Sequence, residues 1–255
     1  MSEDCKKHIS YSAIKMFTEC PNRYKLKYID GFSTYEGNVY TVFGTSVHKA
    51  IELKMLDDKT DIISVFKQTF FDEYAKLSNK SEEEYNLFSD QGVELIPLFL
   101  PELKKHFGNF EVVAAEQELL SDLEVSKNFY FKGFVDLILK DETGKYHILD
   151  MKTCSWGWDA KKKSDATLNY QLAFYKNFFA KMKGIPLTDI ETHFVLLKRT
   201  AKNNKVEVLD VTCTQRRITN AFKVLDNCII NVERGNFPKN KLSCEYCQYY
   251  KKECK

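Results

Sequence analysis

The sequence predicts an α/β fold with a mixed central β-sheet flanked by helices. An apolar hairpin lies in the middle of the chain, at residues 129–153, and its two strands are rich in β-forming residues. The polar loop between them, residues 141–145, contains a glycine, as a hairpin loop should. Helical periodicity dominates before the hairpin and returns after it. The chain has 255 residues, of which 44% are hydrophobic, so it can bury a core and is not disordered.

Helices are predicted before the hairpin. Residues 1–9 are expected to form a loose tail, and Ser10 or Ser12 can cap a short helix that ends at Cys20 and Pro21. A helix is predicted directly after Gly44, within residues 42–56, and further helical segments are predicted at residues 61–77 and 82–107, the last interrupted by Pro97 and Pro101.

Strands and helices alternate in the second half of the chain. A strand at residues 110–120 leads into the hairpin. After the hairpin and a loop with three lysines, the pattern predicts a helix at 167–182, strands at 192–199 and 205–211, and a helix at 215–233. No internal repeat or low-complexity linker divides the chain, so we expect residues 1–255 to form a single domain.

Composition excludes several classes of protein. The net charge is +2, so nucleic-acid binding must come from local basic patches. No apolar run approaches the roughly 20 residues of a membrane helix, and the first ten residues do not read as a secretory signal. A cytoplasmic location without a membrane partner is the expectation. Eight cysteines in a reducing compartment suggest thiols or metal ligands more than disulfides.

The predicted hairpin register brings charged residues together. With a five-residue loop, Ile138 faces Ile148 and Asp136 faces Asp150, at about 5 Å between Cβ atoms. Lys152 lies on the same face as Asp150, because side chains alternate along a strand. A slip of one residue would send Asp136 to the opposite face. The prediction therefore depends on the register.

Two chemical interpretations of this charge group remain open at this point. Opposed carboxylates repel unless a cation lies between them, and carboxylate oxygens suit Mg²⁺ or Mn²⁺. A neighbouring lysine can then hold an attacking water or stabilise negative charge that develops on a phosphate. The alternative is a surface Asp–Lys pair on a half-exposed sheet, which is a common arrangement.

The tail contains a metal-ligand pattern. Cys244, Cys247 and Cys254 form a C-x2-C-x6-C run, which is one ligand short of a four-thiolate set. Cys20, near the other end of the chain, is the natural fourth ligand, so residues 240–255 are expected to pack with Cys20. Four thiolates suit either structural zinc or an iron–sulfur cluster, and spacing alone does not separate the two.

Five short motifs follow one another along the chain: Cys20-Pro21, Gly44-x3-His48, Gly133-x2-Asp136, Asp150-x-Lys152 and Gln171-x3-Tyr175. Their order resembles the RecB-like exonuclease branch of the PD-(D/E)XK nuclease superfamily, particularly the iron–sulfur nucleases of CRISPR adaptation and of the AddB type. The resemblance implies a restriction-endonuclease-like core whose chain ends are joined by the cysteines.

The resemblance also implies roles for individual residues. The Mg²⁺ or Mn²⁺ ligands would be His48, Asp136, Asp150 and the carbonyl of Met151. Lys152 would act on the water or the transition state, and Gln171 and Tyr175 would contact DNA or position Lys152. Glu116 or Glu118 could add an outer carboxylate, and Glu52 could join the site or pair with a lysine; these choices stay open.

The implied activity is metal-dependent hydrolysis of DNA by an exonuclease that prefers single strands or ends. Recombination, repair and phage or CRISPR DNA processing are the implied settings, with a helicase or recombination protein as partner. An endonuclease on the same fold and a catalytically silent DNA-binding module are the alternatives. The resemblance favours a [4Fe–4S] cluster over Zn²⁺ at the four cysteines.

The loop after the hairpin is the expected DNA contact. Lys161, Lys162 and Lys163 directly follow the strand that carries Lys152. Trp156 and Trp158 flank a glycine beside them, where exposed rings could stack on unpaired bases or could instead belong to the core. Binding independent of sequence is expected, since no base-reading motif is evident.

Overall fold

A computed structural model describes residues 6–32, 37–245 and 247–254. Its strands are β1 (Lys7–Ile9), β2 (Phe110–Leu123), β3 (Ser126–Asp141), β4 (Tyr146–Cys154), β5 (Ile190–Lys198) and β6 (Val206–Asp210). Its helices are α1 (Tyr11–Glu19), α2 (Pro21–Tyr24), α3 (Val39–Leu56), α4 (Ile62–Tyr74), α5 (Glu82–Leu95), α6 (Phe99–Phe107), α7 (Ala160–Lys163), α8 (Ala166–Lys183) and α9 (Gln215–Glu233). No described helix has the length and hydropathy needed to cross a membrane.

The sheet is mixed, as the sequence predicts. Strands follow the order β1-β3-β4-β5-β6, and β2 pairs with the other edge of β3. The β1–β3 and β4–β5 pairs are parallel, and the remaining pairs are antiparallel. β3 pairs with β1 at residues 129–131 and with β4 at residues 137–140. Within the described chain, residues 132–136 therefore have no ladder partner on that edge, and the sheet opens there.

Helices cover both faces of the sheet. Residues of α1, α8 and α9 pack on one face, against Ile138 and Ile148 among others. Residues of α3, α4, α5 and α6 pack on the other face, against Leu137, Leu139 and Leu149. Alternate residues of β3 and β4 thus enter two different apolar layers, as strand geometry requires.

Local sequence explains most helix boundaries. Ser10 caps α1 by accepting a hydrogen bond from the Ala13 N–H, which selects between the two predicted caps. In α4, the aromatic residues Phe66, Phe70 and Tyr74 are all buried, as their spacing predicts.

Three local predictions are corrected. Lys7–Ile9 is a strand rather than a loose tail, because it pairs with the free edge of β3 and buries Ile9; residues 1–5 lie outside the described part. The lysine run forms the one-turn helix α7, which Asp159 caps, instead of a loop. Pro101 lies in the first turn of α6 and does not interrupt it, since an early proline loses no helical hydrogen bond.

Candidate active site

The site forms where β3 and β4 separate. The predicted register is confirmed, with Ile138 opposite Ile148, and the ladder ends at Leu137 and Leu149. The next facing positions on the two strands are Asp136 and Asp150.

β3 also changes face at Asp136. Val135 packs with the α8–α9 layer, whereas Leu137 packs with the α3–α6 layer. In a regular strand these two side chains would share a face. Asp136 therefore lies between the layers, within reach of both.

Asp136 uses its two oxygens differently. Its Oδ2 accepts the Met151 N–H at 2.6 Å, a donor that lies beyond the end of the β3–β4 ladder. Its Oδ1 lies 3.4 Å from Nδ1 of His48 on α3. One carboxylate thus joins the sheet to the helix that packs on it.

Glu116 completes a group of potential metal ligands. Its register position is opposite Asp136, between the pairs Ala115–Leu137 and Gln117–Val135. Ligand atoms of His48, Glu116 and Asp136 all lie within 4.8 Å of one another. Glu116 has a positive φ of 51°, an uncommon conformation for a residue with a side chain.

The structure shows which of the three candidate glutamates, Glu52, Glu116 and Glu118, lie near the metal-ligand group. Glu118 forms an ion pair with Lys132 at 2.8 Å, so it does not join the group. Glu52 pairs with Lys49 at 3.0 Å and lines the same surface depression as His48 and Glu116. The sequence pattern contains no signal that favours Glu116 over Glu118, because the choice depends on the backbone turn at Glu116.

An ion pair followed by two hydrogen bonds links Asp150 to α8. The Lys152 Nζ lies 2.5 Å from Asp150 Oδ2 and donates to Gln171 Oε1 at 3.1 Å. The Gln171 Nε2 in turn donates to the Tyr175 hydroxyl at 3.0 Å. Three side chains from one strand and one helix therefore fix the position of the Lys152 ammonium group.

Two glycines let the surrounding elements approach. A Cβ on Gly44 of α3 would lie 3.2 Å from Thr153 Oγ1 of β4. A Cβ on Gly133 of β3 would lie 3.0 Å from the Tyr175 ring. Both contacts are tighter than ordinary van der Waals packing, so these positions favour glycine.

The acidic groups are in an environment that opposes their charge. Burial raises the pKa of Asp150 to about 6, and Asp136 adds to this effect while Lys152 opposes it. Burial also raises the pKa of Glu116, with Asp136 contributing. For His48, burial lowers the pKa, but the hydrogen bond and charge of Asp136 outweigh it and the net shift is upward.

The donor set fits a divalent cation. Asp150 is 2% exposed, and its Oδ2 makes no well-aligned hydrogen bond to any described residue despite the nearby Lys152. Buried carboxylates normally have partners. A cation between the acidic side chains would neutralise both, and oxygen ligands with one imidazole suit Mn²⁺ or Mg²⁺.

The expected DNA-contact residues lie in the loop that follows β4 and in the short helix α7. Trp156 is 79% exposed, whereas Trp158 packs on Phe194 at 5.1 Å between ring centroids. Lys162 lies over the Trp158 ring, and Lys163 pairs with Glu207 at 2.8 Å. Lys161 is exposed. Among these five residues, Trp156 and Lys161 are the exposed ones that the described contacts do not attach to a neighbouring side chain.

The four cysteines Cys20, Cys244, Cys247 and Cys254 line one small cavity. The Cys20 sulfur accepts the Asn240 N–H at 3.4 Å, and the Cys254 sulfur accepts from Asn22 Nδ2 at 3.3 Å. Residues about 220 positions apart along the chain are thus neighbours here.

Comparison with known proteins identifies the class. A sequence profile of the PD-(D/E)XK nuclease superfamily matches residues 8–254. The chain belongs to this superfamily and is a nuclease.

A solved structure of similar architecture supports the fold. A presumed exonuclease from Eubacterium rectale has 15% identity and a TM-score of 0.62, covering 95% of this chain and 88% of its own. SSO0001 has 15% identity and a TM-score of 0.46, covering 98% of this chain and 85% of its own. LHK-Exo in complex with dAMP has 11% identity and a TM-score of 0.32, covering 77% of this chain and 93% of its own. No curated protein sequence matches the chain.

Proposed function

We propose that this protein is a metal-dependent DNA exonuclease of the RecB-like type that acts on single strands or ends as one domain. The observation that carries the proposal is the meeting of His48, Glu116 and Asp136 next to the buried Asp150–Lys152 pair. A binding module has no need for buried carboxylates that repel each other. Metal-dependent phosphodiester hydrolysis needs such carboxylates, because they hold the ion.

The proposed ion ligands are His48, Asp136, Asp150 and the Met151 carbonyl, with Glu116 as a further carboxylate. A bound Mg²⁺ or Mn²⁺ would supply a water of lowered pKa and neutralise charge on the scissile phosphate. Asp136 also accepts the Met151 N–H, which attaches the β4 backbone at the proposed ligand to β3.

Lys152 is the proposed cation at the reacting phosphate. Asp150 and Gln171 hold the ammonium from two sides, and Tyr175 holds Gln171. A charge fixed before the reaction needs no reorganisation when negative charge develops on the phosphate. Gln171 and Tyr175 are positioning residues in this scheme.

A labelled-oligonucleotide digest tests the proposal. Asp150→Asn and Lys152→Ala are compared with wild type on 5′- and 3′-labelled single-stranded DNA, with Mg²⁺ or Mn²⁺. We expect both variants to lose at least about 100-fold in rate, the usual cost of removing a preorganised charge. The control is Lys140→Ala, whose ammonium lies over the Tyr146 ring away from the site. Wild-type cleavage by both site variants would overturn the assignment.

Circular single-stranded DNA separates the two enzymatic alternatives. An exonuclease leaves the circle intact and degrades the linear form, whereas an endonuclease cuts both. Binding of DNA without cleavage in any divalent metal would instead favour the silent module.

We propose DNA contact by Trp156 and the lysines Lys161, Lys162 and Lys163. The exposed Trp156 ring can stack on a base, which is worth about 1–3 kcal/mol per base. Trp156→Ala should therefore weaken single-stranded DNA binding about 5- to 150-fold, measured by fluorescence anisotropy with Ca²⁺ in place of Mg²⁺. Unchanged affinity would remove Trp156 from the interface.

A [4Fe–4S] cluster at the four cysteines is also part of the proposal. The four cysteines line one small cavity, and the Asn240 N–H donates to the Cys20 sulfur at 3.4 Å. N–H donors to cysteine sulfur are typical of iron–sulfur sites. The preference for a cluster over Zn²⁺ follows from the resemblance of the motif order to iron–sulfur nucleases.

Anaerobic purification tests the cluster. We expect a brown protein with about four irons per chain, and Cys247→Ala should lose both the colour and the iron. Cys154→Ala is the matched control, because Cys154 does not line the cavity. A colourless protein with one zinc per chain would contradict the cluster and favour the alternative ion.

A further inference from the structure

A second group of metal-ligand side chains lies at the opposite end of β4 from Lys152. It gathers three of the five histidines of the chain, His106, His147 and His193. His147 lies near the start of β4 and His193 near the start of β5, and both are at most 5% exposed. His147 precedes Asp150 by three residues, about 10 Å along the strand. The group is therefore separate from the nuclease site.

Each buried imidazole has a carboxylate on its outer nitrogen. The Nε2 of His147 lies 3.1 Å from Asp141 Oδ2, and the Nδ1 of His193 lies 2.8 Å from Asp210 Oδ1. An ionised carboxylate only accepts hydrogen bonds, so each of these ring nitrogens carries the proton. Carboxylate–histidine pairs of this kind orient histidines that bind metals.

The inner nitrogens then face each other. His147 Nδ1 and His193 Nε2 are 3.1 Å apart. With both outer nitrogens protonated and both rings neutral, two lone pairs point at one another. Protonating one inner nitrogen would bury an imidazolium, which burial disfavours. A metal cation between the nitrogens would accept both lone pairs as ligands.

A third ligand is in place. Glu191 Oε2 lies 3.8 Å from His147 Nδ1, while Lys145 holds the other oxygen of Glu191 at 2.9 Å. Ligand atoms of a tetrahedral ion with bonds of about 2.0–2.1 Å are about 3.3 Å apart, close to both observed spacings. The Glu191 side chain is 46% exposed, which leaves a fourth position open to water.

The neighbouring residues form an outer layer. Asp210 Oδ1 contacts both His193 and His106, the latter at 3.1 Å, and the Phe107 ring lies within 5.0 Å of the His147 and His193 ring centroids. His106 and Phe107 lie at the end of α6. The cluster thus connects β4, β5, β6 and α6.

We infer that His147, His193 and Glu191 bind a transition-metal ion, Zn²⁺ by preference. Two imidazoles and one carboxylate are ligands that Zn²⁺ takes readily, and Mg²⁺ does not favour imidazole. The ion would tie the starts of β4 and β5 together beneath the end of α6. The inference does not depend on the proposed nuclease activity.

Zinc titration against a chromophoric chelator tests the site on the protein as purified. We expect Glu191→Gln to weaken one zinc site at least 10-fold, His147→Gln to abolish it, and Asp210→Asn to weaken it about 10- to 100-fold through the outer layer. His8→Gln, an exposed histidine on β1, is the matched control and should bind as wild type does. Asp136→Asn should also retain this zinc, which separates the two metal sites.

Glu191→Gln keeps the test decisive if the buried variant does not fold, because Glu191 is half-exposed. Loss of one zinc equivalent in Glu191→Gln, together with a zinc-dependent rise in Tm that this variant lacks, supports the site. Zinc binding in Glu191→Gln and Asp210→Asn equal to that of His8→Gln would overturn it.

Discussion

The carboxylates at the nuclease site are destabilised in their charged form by burial and by mutual repulsion. Asp150 is almost fully buried, and Asp136 faces it from the neighbouring strand. Removing two nearby carboxylates from water is expensive unless a cation compensates. Lys152 compensates in part, and the group of His48, Glu116 and Asp136 offers ligands for the remainder.

Glu116 and Glu118 provide a matched pair for the role of one carboxylate. We expect Glu116→Gln to raise the Mn²⁺ concentration for half-maximal cleavage about 10- to 100-fold, because it removes a charge from the metal-ligand group. Glu118→Gln, which only breaks a partly exposed pair with Lys132, should behave as wild type. Equal metal dependence of the two variants would exclude Glu116 from the site.

Tyr175 tests the positioning of Lys152 through Gln171. We expect Tyr175→Phe to lower kcat about 10-fold with little change in KM, because loss of the hydroxyl frees Gln171 and loosens the ammonium. Steady-state cleavage of labelled single-stranded DNA over a range of DNA concentrations gives both constants. An effect confined to KM would assign Tyr175 to DNA binding instead.

Helices of the α3–α6 layer bring distant parts of the sequence to the sheet. α3 carries His48 and packs closely on β4 because Gly44 has no side chain beside Thr153. Within the same layer, Gly92 of α5 makes room for the Phe66 ring of α4. Each close contact gives a prediction at the scale of a helix.

Gly44→Ala should move α3 by a few tenths of an ångström. We expect it to lower the cleavage rate about 10-fold, because small displacements of catalytic groups are costly, with little loss of stability. The double variant Gly44→Ala/Thr153→Ala removes the opposing Oγ1 and should recover most of the rate. A double variant no faster than Gly44→Ala would show that the contact does not set the position of His48.

Gly92→Ala has two opposite effects on the free energy of unfolding, a gain in helix propensity and a loss from overpacking. Alanine gains up to about 1 kcal/mol in a helix, but its Cβ would lie 2.0 Å from the Phe66 ring. Overpacking typically costs about 1–3 kcal/mol, so we expect net destabilisation in urea unfolding. Asn86→Ala, at an exposed position of α5, is the control and should not destabilise. A stabilised Gly92→Ala protein would mean that α5 shifts freely.

The two ends of the described chain meet at the cysteine cavity. Asn240 and Ser243 bond the Glu19 carbonyl, and the buried Tyr249 bonds the Phe32 carbonyl. These contacts attach the C-terminal segment to the region of α1 and α2. A cluster shared between the two ends would add its binding free energy to folding.

Loss of one cysteine should therefore act on the whole molecule. We expect Cys247→Ser to lower Tm by at least about 5 °C, since 1 kcal/mol corresponds to about 2–4 °C at this chain length. Limited proteolysis should then cut first near residues 238–250. Cys154→Ala, outside the cavity, should leave the protease pattern unchanged. An unaltered Tm in Cys247→Ser would mean that the cysteines contribute no stability.

The sequence by itself determined the mixed sheet with helices on both faces, the hairpin register and the positions of most helices. Those features follow from periodicity and turn chemistry, which act over a few neighbouring residues. The hairpin alone therefore put Asp136 beside Asp150, and strand alternation put Lys152 with them.

Only the tertiary structure decided which distant residues join these groups. The choice of Glu116 over Glu118 depends on a positive φ and a change of face, neither of which a hydrophobic pattern encodes. Lys7–Ile9 is a strand only because β3 has a free edge, and His147 meets His193 only because β4 and β5 are parallel neighbours. These contacts join residues up to about 120 positions apart, and local propensity carries no information on such pairs.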